Sequence, residues 1–132
     1  IEAQLANCQI LVVEDNPDNR ELIALILRDL ACNTTFATNG QEALDKLADA
    51  TFDLVLMDCQ MPVLDGYAAT QKLRQQEGED AHTPVIGITA HAGAEDRQKC
   101  LQAGMDDYIS KPLDMDRLIQ LMVFWTVNKD SQ

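Results

Sequence analysis

The chain has 132 residues, of which 46% are hydrophobic, and a formal net charge of −12. This length predicts one domain with a single core, and the strong negative charge argues against direct binding to nucleic acid. No apolar run approaches the roughly 20 residues that a membrane-spanning helix needs, so we expect no direct membrane contact.

Apolar runs alternate with helical patterns along the chain. Short apolar or β-branched runs predict five strands, at residues 9–13, 34–37, 53–57, 85–89 and 107–109. Apolar residues at helical spacing predict five helices, at residues 17–30, 41–48, 66–76, 94–103 and 115–127. Asn16 and Asp65 are predicted N-caps, and Gly104 is a predicted helix stop.

This alternation predicts an α/β fold in which helices cover both faces of a parallel sheet. Right-handed crossovers then bring the carboxyl ends of all strands to one edge. The pattern leaves the strand order open. A sheet that is wrapped on both sides needs a topological switch point, which we expect near the first strand, and ligands bind at such points.

Charged residues stand at the carboxyl ends of three predicted strands. Glu14 and Asp15 follow the first strand, Asp58 follows the third, and Lys111-Pro112 lies just past the fifth. We therefore expect three carboxylates and one amine to converge at one edge of the sheet. Such a set can hold a hard divalent cation and a phosphoryl group.

Two further features bear on the compartment and on metal binding. The first residue is not methionine and residues 1–9 lack a signal-peptide pattern, so we expect part of a longer protein. No C-x-x-C pair occurs among the four cysteines, which we expect to be reduced thiols in the cytoplasm: Cys8, Cys32, Cys59 and Cys100. We expect Cys59 to be partly exposed.

His82 and His91 stand apart from other metal-ligand residues, so we expect no transition-metal site.

The chain resembles the receiver domain of two-component response regulators over residues 8–127, with residues 1–7 and 128–132 as flanking segments. Four motifs carry the resemblance: Glu14-Asp15, the D-x-x-M-P-x-x-D-G run at 58–66, Thr89-Ala90 and Lys111-Pro112. It implies a flavodoxin-like (βα)5 fold with a parallel sheet of order 2-1-3-4-5. The local sequence at residues 13–16, 57–62 and 88–92 is similar to the corresponding sequences in receivers of hybrid sensor histidine kinases.

The resemblance implies a role for each residue of the site. Asp58 would accept the phosphoryl group as an acyl phosphate, Lys111 would be its counter-charge, and the Thr89 hydroxyl would bind a phosphoryl oxygen. Mg²⁺, which Mn²⁺ can replace, would be held by three carboxylates and one main-chain carbonyl: Glu14, Asp15, Asp58 and the carbonyl of Gln60.

Other residues would tune or shape the site. Thr89 and Tyr108 would form a conformational switch. Three residues around the pocket would modulate hydrolysis of the acyl phosphate: Gln60, Ala90 and His91. Three others would shape its loops: Pro62, Gly66 and Pro112. The resemblance also implies a cis peptide bond between Lys111 and Pro112.

The implied function is a phosphoacceptor in a phosphorelay. A kinase phosphohistidine would donate to Asp58, after which the domain would change conformation or pass the phosphoryl group to a histidine phosphotransfer domain. The chain alone would not be an enzyme, apart from weak autodephosphorylation. It would lie in the cytoplasm, at the inner membrane if it belongs to a hybrid sensor kinase.

The apolar run at 118–125 predicts either core packing or a weak homodimer through the last helix.

Three other functions stay open on the sequence. A small-molecule phosphohydrolase also uses a strand-end aspartate, but here the aspartate follows the third strand and no D-x-D follows the first. A flavodoxin-like cofactor binder needs a Gly- or Ser/Thr-rich phosphate loop where this chain has Glu14-Asp15-Asn16-Pro17. A receiver that binds partners without being phosphorylated is the third.

Overall fold

A computed structural model describes residues 5–78, 81–91 and 93–127. Within these ranges the strands are β1 (Gln9–Val13), β2 (Asn33–Ala37), β3 (Leu54–Asp58), β4 (Val85–Thr89) and β5 (Asp107–Ser110). The helices are α1 (Pro17–Asp29), α2 (Gly40–Asp49), α3 (Gly66–Gln76), α4 (Ala94–Ala103) and α5 (Met115–Val127). The strands form one parallel sheet in the order β2-β1-β3-β4-β5, so the predicted fold is confirmed.

The observed elements start and end within one residue of the predicted bounds. Helix α1 stops at Asp29 because Leu30 is its C-cap. Strand β2 starts at Asn33, whose Cα pairs with that of Gln9 in β1. Strand β3 includes Asp58, so this carboxylate belongs to the last residue of a fully buried strand.

Side chains of the sheet alternate between two hydrophobic clusters. Val12 and Leu56 point to a cluster that is closed by α1 and α5. Leu11 and Val55 point to the opposite cluster, which is closed by α2, α3 and α4. Strands that are buried on both faces read as continuous apolar runs, as the sequence shows for β1, β3 and β4.

Local capping fixes where several helices begin and end. The Asn16 side chain accepts hydrogen bonds from the backbone N–H groups of Asp18 and Asn19, at 2.8 and 3.3 Å, so the predicted N-cap is confirmed. Asp65 caps α3 in the same way, and α4 ends at Gly104 with φ 102°. The helix that follows β1 and the one that follows β3 therefore start immediately beyond the charged loops.

A hydrogen-bonded cluster ties together the other edge of the sheet. Arg74 donates to the Gly104 carbonyl and forms ion pairs with Glu77 and Asp106, at 2.7 and 2.9 Å. The Nε2 atom of His82 lies 2.6 Å from Asp106 Oδ1. His82 is thus not isolated as its sequence neighbours suggested, but one carboxylate beside one imidazole does not make a metal site.

The folded body extends beyond the residue at which the resemblance begins. Leu5 is fully buried in the cluster that α1 and α5 close, although it precedes residue 8. The predicted flanking segment at 128–132 lies outside the described residues. In the described ranges, no helix is both long and apolar enough to cross a bilayer.

Leu5→Ala should lower the free energy of unfolding by about 2–4 kcal/mol, because it leaves a cavity in the core. The matched control is Leu25→Ala on α1, where Leu25 is 46% exposed and the cost should stay below about 1 kcal/mol. Denaturant unfolding monitored by circular dichroism measures both values. Equal losses for the two variants would place Leu5 outside the cooperative core.

Candidate functional site

The charged pocket lies at the topological switch point of the sheet. The chain leaves β1 for β2 on one side, while β3, β4 and β5 follow on the other. Val13 pairs with Met57, so Glu14 and Asp58 are the next residues at two adjacent strand ends. The backbone N–H of Glu14 donates to the Ala37 carbonyl at 2.9 Å, which fixes this end of the loop.

Three carboxylates converge in the pocket, as the sequence predicted. Oxygens of Glu14, Asp15 and Asp58 all lie within 4.8 Å of one another. Glu14 and Asp58 are only 1% and 3% exposed, whereas Asp15 faces solvent. Burial, and next the neighbouring carboxyl group of Asp58, raise the pKa of Glu14 above its ordinary value. Charge on both buried carboxylates is therefore costly without a cation.

Lys111 supplies one positive charge from the end of β5. Its Nζ atom lies 3.4 Å from Asp58 Oδ2 and 3.6 Å from Glu14 Oε1. Its backbone N–H donates to the Thr89 carbonyl at 2.8 Å, which anchors the loop that follows β5. The bond between Lys111 and Pro112 is cis, as expected.

The donor set fits a hard divalent cation. Among the described residues, the buried oxygen Glu14 Oε1 accepts no hydrogen bond. One ammonium group also leaves the three carboxylates with an excess of negative charge. Carboxylate oxygens in partly hydrated clusters are the ligands that Mg²⁺ prefers. The pocket therefore has both the ligand chemistry and the charge to hold Mg²⁺.

The loop after β3 folds tightly over the pocket. The backbone N–H of Gln60 donates to Asp58 Oδ1 at 3.1 Å, and that of Gly66 donates to the Cys59 carbonyl at 3.1 Å. A Cβ at Gly66 would collide with the Asp58 carbonyl and lie 2.9 Å from the Cys59 Cα, so only glycine fits. Exposed Val63 has a φ of 69°, an unfavourable backbone conformation for a β-branched residue.

Strand β4 brings further predicted residues to the rim. Asp58 pairs with Ile88, so Thr89 lies one residue further along the adjacent strand, and its side chain is buried. The Thr89 hydroxyl accepts a hydrogen bond from the His91 N–H at 3.3 Å. Ala90 and His91 are exposed, and so is Pro62 on the neighbouring loop.

Tyr108 lies deeper in the sheet than the pocket rim. Its Cα pairs with that of Gly87, whereas Thr89 pairs with Ser110. The ring is half-buried and packs against the cluster that α2, α3 and α4 close. Thr89 lies two residues beyond Gly87, and alternate residues of a strand share a face, so Tyr108 and Thr89 lie on the same face of the sheet.

Sequence reasoning missed one residue that positions the acidic loop. The Arg20 guanidinium donates from Nη1 to the carbonyls of Glu14 and Asp15, each at 3.0 Å. The sequence feature that could have indicated this contact is a basic residue one turn into the helix that follows the acidic loop. The expectation that Cys59 is partly exposed was wrong, because its side chain turns inward and is 1% exposed.

The fold and the pocket together define a class: a small α/β domain with an acidic, lysine-paired pocket at the switch point of a parallel sheet. The chain belongs to the response regulator receiver domain family, whose sequence pattern it matches over residues 10–123.

Comparison with individual proteins agrees with this assignment. The chain is 42% identical over 120 residues to the sensor histidine kinase GacS of Pseudomonas protegens, which covers 89% of this chain. It spans only 13% of the length of that kinase. It is also 42% identical to the receiver domain of sensor histidine kinase PA1611 from Pseudomonas aeruginosa PAO1. The predicted likeness to receivers of hybrid sensor kinases is confirmed.

Two solved structures bear on the site. The PA1611 receiver, with a magnesium ion coordinated in its active site cleft, matches with a TM-score of 0.84 over 92% of this chain and 99% of its own. The second is a co-crystal structure from Saccharomyces cerevisiae of the histidine phosphotransfer protein Ypd1 with the receiver domain of its downstream response regulator Ssk1. It matches at 28% identity with a TM-score of 0.87, over 95% of this chain and 92% of the matched chain.

Glu14→Gln should raise the melting temperature of the metal-free protein at pH 7 by several degrees. Because the pKa of Glu14 is raised on folding, its charge opposes folding. This cost is absent below the unfolded-state pKa and grows as pH rises through the folded-state pKa. The gain should therefore vanish below about pH 4.

The matched control is Glu21→Gln, a change of an exposed glutamate on α1, which should leave the melting temperature nearly constant. Differential scanning calorimetry with a chelator present measures all three proteins. A lower melting temperature for Glu14→Gln at pH 7 would show that the buried charge is already satisfied without metal.

Proposed function

We propose that this receiver domain accepts a phosphoryl group on Asp58 from a phosphohistidine donor. The observation that carries the proposal is the contact of Lys111 Nζ with Asp58 and Glu14, inside a cluster of three carboxylates. A solvated loop aspartate would have neither a buried environment nor an ammonium partner. The chain acts here as a signalling domain rather than as an enzyme that turns over a substrate.

The proposed metal is Mg²⁺, with Mn²⁺ as a substitute. Its ligands would be the three clustered carboxylates and one main-chain oxygen: Glu14, Asp15, Asp58 and the carbonyl of Gln60. The magnesium ion in the cleft of the PA1611 receiver supports this assignment. A bound cation would offset the repulsion between an attacking carboxylate and the phosphoryl oxygens.

Asp58, Lys111 and Gln60 have different roles in the proposed phosphoryl transfer. An Asp58 carboxylate oxygen attacks phosphorus, the P–N bond of the donor breaks, and the donor imidazole keeps the electron pair. The Asp58 oxygen beside Lys111 is Oδ2, while Oδ1 accepts from the Gln60 N–H. Lys111 can therefore move from the free carboxylate to a phosphoryl oxygen, a change of partner that suits a compact ammonium group.

Five neighbouring residues set how long the phosphoryl group stays on Asp58 and what it signals. Gln60 and His91 lie on two loops that flank the pocket, and Ala90 leaves room above it, so all three are proposed to control access of water. The Thr89 hydroxyl would release the His91 N–H and donate to a phosphoryl oxygen. Tyr108 would then rotate toward the space that Thr89 leaves, which biases a two-state equilibrium.

Incubation with acetyl phosphate and Mg²⁺ should add one phosphoryl group to the intact protein. Asp58→Asn and a chelator should each abolish the gain, because the nucleophile or the cation is lost. The matched control is Asp45→Asn on the exposed face of α2, which should be phosphorylated normally. Intact-protein mass spectrometry measures each reaction. Phosphorylation of Asp58→Asn at the normal rate would overturn the assignment of Asp58.

Tyr108→Ala should leave phosphorylation intact but reduce the difference in partner affinity between the two states. Thr89→Ala should impair both, because the hydroxyl is proposed to contact the phosphoryl group. Phosphorus NMR reports phosphorylation, and calorimetric titration with a histidine phosphotransfer domain reports affinity. Unchanged affinities of Tyr108→Ala in both states would rule out the proposed coupling.

The proposed partners are a histidine kinase domain and a histidine phosphotransfer domain. The Ypd1–Ssk1 complex supports the second, because its receiver shares this fold and binds a phosphotransfer protein. The match to GacS supports a place within a longer sensor kinase. We therefore propose a cytoplasmic location, at the inner face of the membrane within such a kinase. We also propose residues 8–127 as the receiver, to whose core Leu5 of the preceding segment adds.

A weak homodimer through α5 is a further part of the proposal. Phe124 and Met115 expose about half of their surface on this helix, and Trp125 is half-buried. Apolar side chains that remain exposed on one helix favour self-association at high concentration. Light scattering over a concentration series would show the dimer, and a constant monomer mass would remove it.

A further inference from the structure

Two buried cysteines meet beside the phosphoacceptor site. The Sγ atoms of Cys59 and Cys100 are 3.8 Å apart, and the two residues are 1% and 0% exposed. Cys59 directly follows Asp58 at the end of β3, whereas Cys100 lies in α4, 41 residues later. The phosphotransfer chemistry proposed above uses neither sulfur.

The sheet leaves a space that holds the two sulfurs together. Gly87 of β4 lies beneath them, and a Cβ there would be 3.3 Å from Cys59 Sγ and 3.4 Å from Cys100 Sγ. It would also collide with Met105 Sδ. Both thiols therefore sit over the same backbone position, and neither has to cross another side chain to reach its partner.

The two cysteines differ in how firmly the fold holds them. The Cys59 N–H donates to the Ile88 carbonyl at 2.9 Å, and its carbonyl accepts from Gly66 at 3.1 Å. Within α4, all of which the structure describes, only Cys100 and Ala103 are buried. A helix with so little buried surface opens at low cost in free energy. Opening of α4 would therefore give small solutes access to Cys100, which is fully buried in the closed structure.

We infer that Cys59 and Cys100 form a reversible disulfide, driven by hydrogen peroxide or another small hydroperoxide, that covalently links α4 to the strand end bearing Asp58. Disulfides in reducing compartments are usually transient and regulatory, which suits a bond at a signalling site.

The chemistry needs one peroxide for each bond. The Cys100 sulfur attacks the peroxide, the O–O bond breaks, and Cys100 becomes a sulfenic acid while one water leaves. The Cys59 sulfur then attacks the sulfenic sulfur, the S–S bond forms, and the hydroxyl leaves with the Cys59 proton as a second water. The hydrogen bond with Cys59 lowers the pKa of Cys100, which favours it as the first nucleophile.

Bond formation must move part of the structure. The sulfurs have to approach from 3.8 Å to about 2 Å. The backbone bonds of Cys59 resist this movement, so α4 moves most and strain is passed to the loop that follows Asp58. Because a misplacement of about 1 Å can slow a positioned reaction by up to about a hundredfold, we expect oxidation to slow phosphorylation of Asp58.

The bond can be tested in the double variant Cys8→Ser/Cys32→Ser, which keeps only the inferred pair. Treatment with hydrogen peroxide should remove two hydrogens from the intact mass, block alkylation of both thiols, and be reversed by dithiothreitol. Hydrogen exchange across α4 should slow in the oxidised form. Glutathione disulfide should react far more slowly, because it is too bulky for the opened site.

Peptide mapping identifies the bond directly, so the test does not depend on a further variant. The matched control adds Cys100→Ser to the same background and should lose no hydrogens. A linked peptide that contains Cys59 and Cys100 is the expected result. Two thiols that remain open to alkylation after unfolding, or oxidation that ends at sulfinic acids, would overturn the inference.

The regulatory effect rests on the proposed function and is measured separately. The reduced double variant should be phosphorylated by acetyl phosphate at the same rate as the unmodified chain. The oxidised double variant should be phosphorylated about tenfold more slowly. Failure of the reduced protein to react would count against Asp58 as acceptor and leave the mass and mapping results intact. Equal rates for both forms would show that the disulfide does not regulate the site.

Discussion

The pocket of this domain is organised around negative charge that is buried at one edge of its sheet, at a cost in folding free energy. Glu14 and Asp58 are almost fully buried, and among the residues that the structure describes Lys111 is the ammonium group that contacts both. Burial of like charges is unfavourable unless a cation or a proton compensates it. Burial raises the pKa of Glu14 above its ordinary value, in accordance with this cost.

The fold supports this charged cluster from several directions. The switch point between β1 and β3 places two carboxylates at adjacent strand ends. Arg20 binds the carbonyls of the first loop, and Gly66 allows the second loop to pass directly over the Asp58 carbonyl. The apolar strands beneath are buried on both faces, whereas α4 buries only two side chains of its described residues. In the proposed function, this contrast between a buried strand end and a helix with little buried surface would let a change of charge on Asp58 alter the surface of α4.

Local patterns predicted most of the fold, and long-range contacts explain what they missed. Asn16 and Asp65 cap the helices that their positions in the sequence indicated, because capping involves neighbours within three residues. The convergence of the acidic residues followed from strand ends in a parallel sheet, whereas the strand order came from the family resemblance. The burial of Cys59 depends on the path of the chain after β3, and the contact of His82 depends on a carboxylate 24 residues away. No single-sequence pattern encodes either of them.

The central claim is that Asp58 is the residue that carries the phosphoryl group. The most direct measurement is to phosphorylate the chain from a phosphohistidine donor, reduce the acyl phosphate with borohydride, and locate the reduced residue by tandem mass spectrometry. We expect the aspartate at position 58 to be converted, with conversion lost when Mg²⁺ is removed. A stable modification on a histidine or a hydroxyl, or conversion of another carboxylate of the cluster, would contradict the claim.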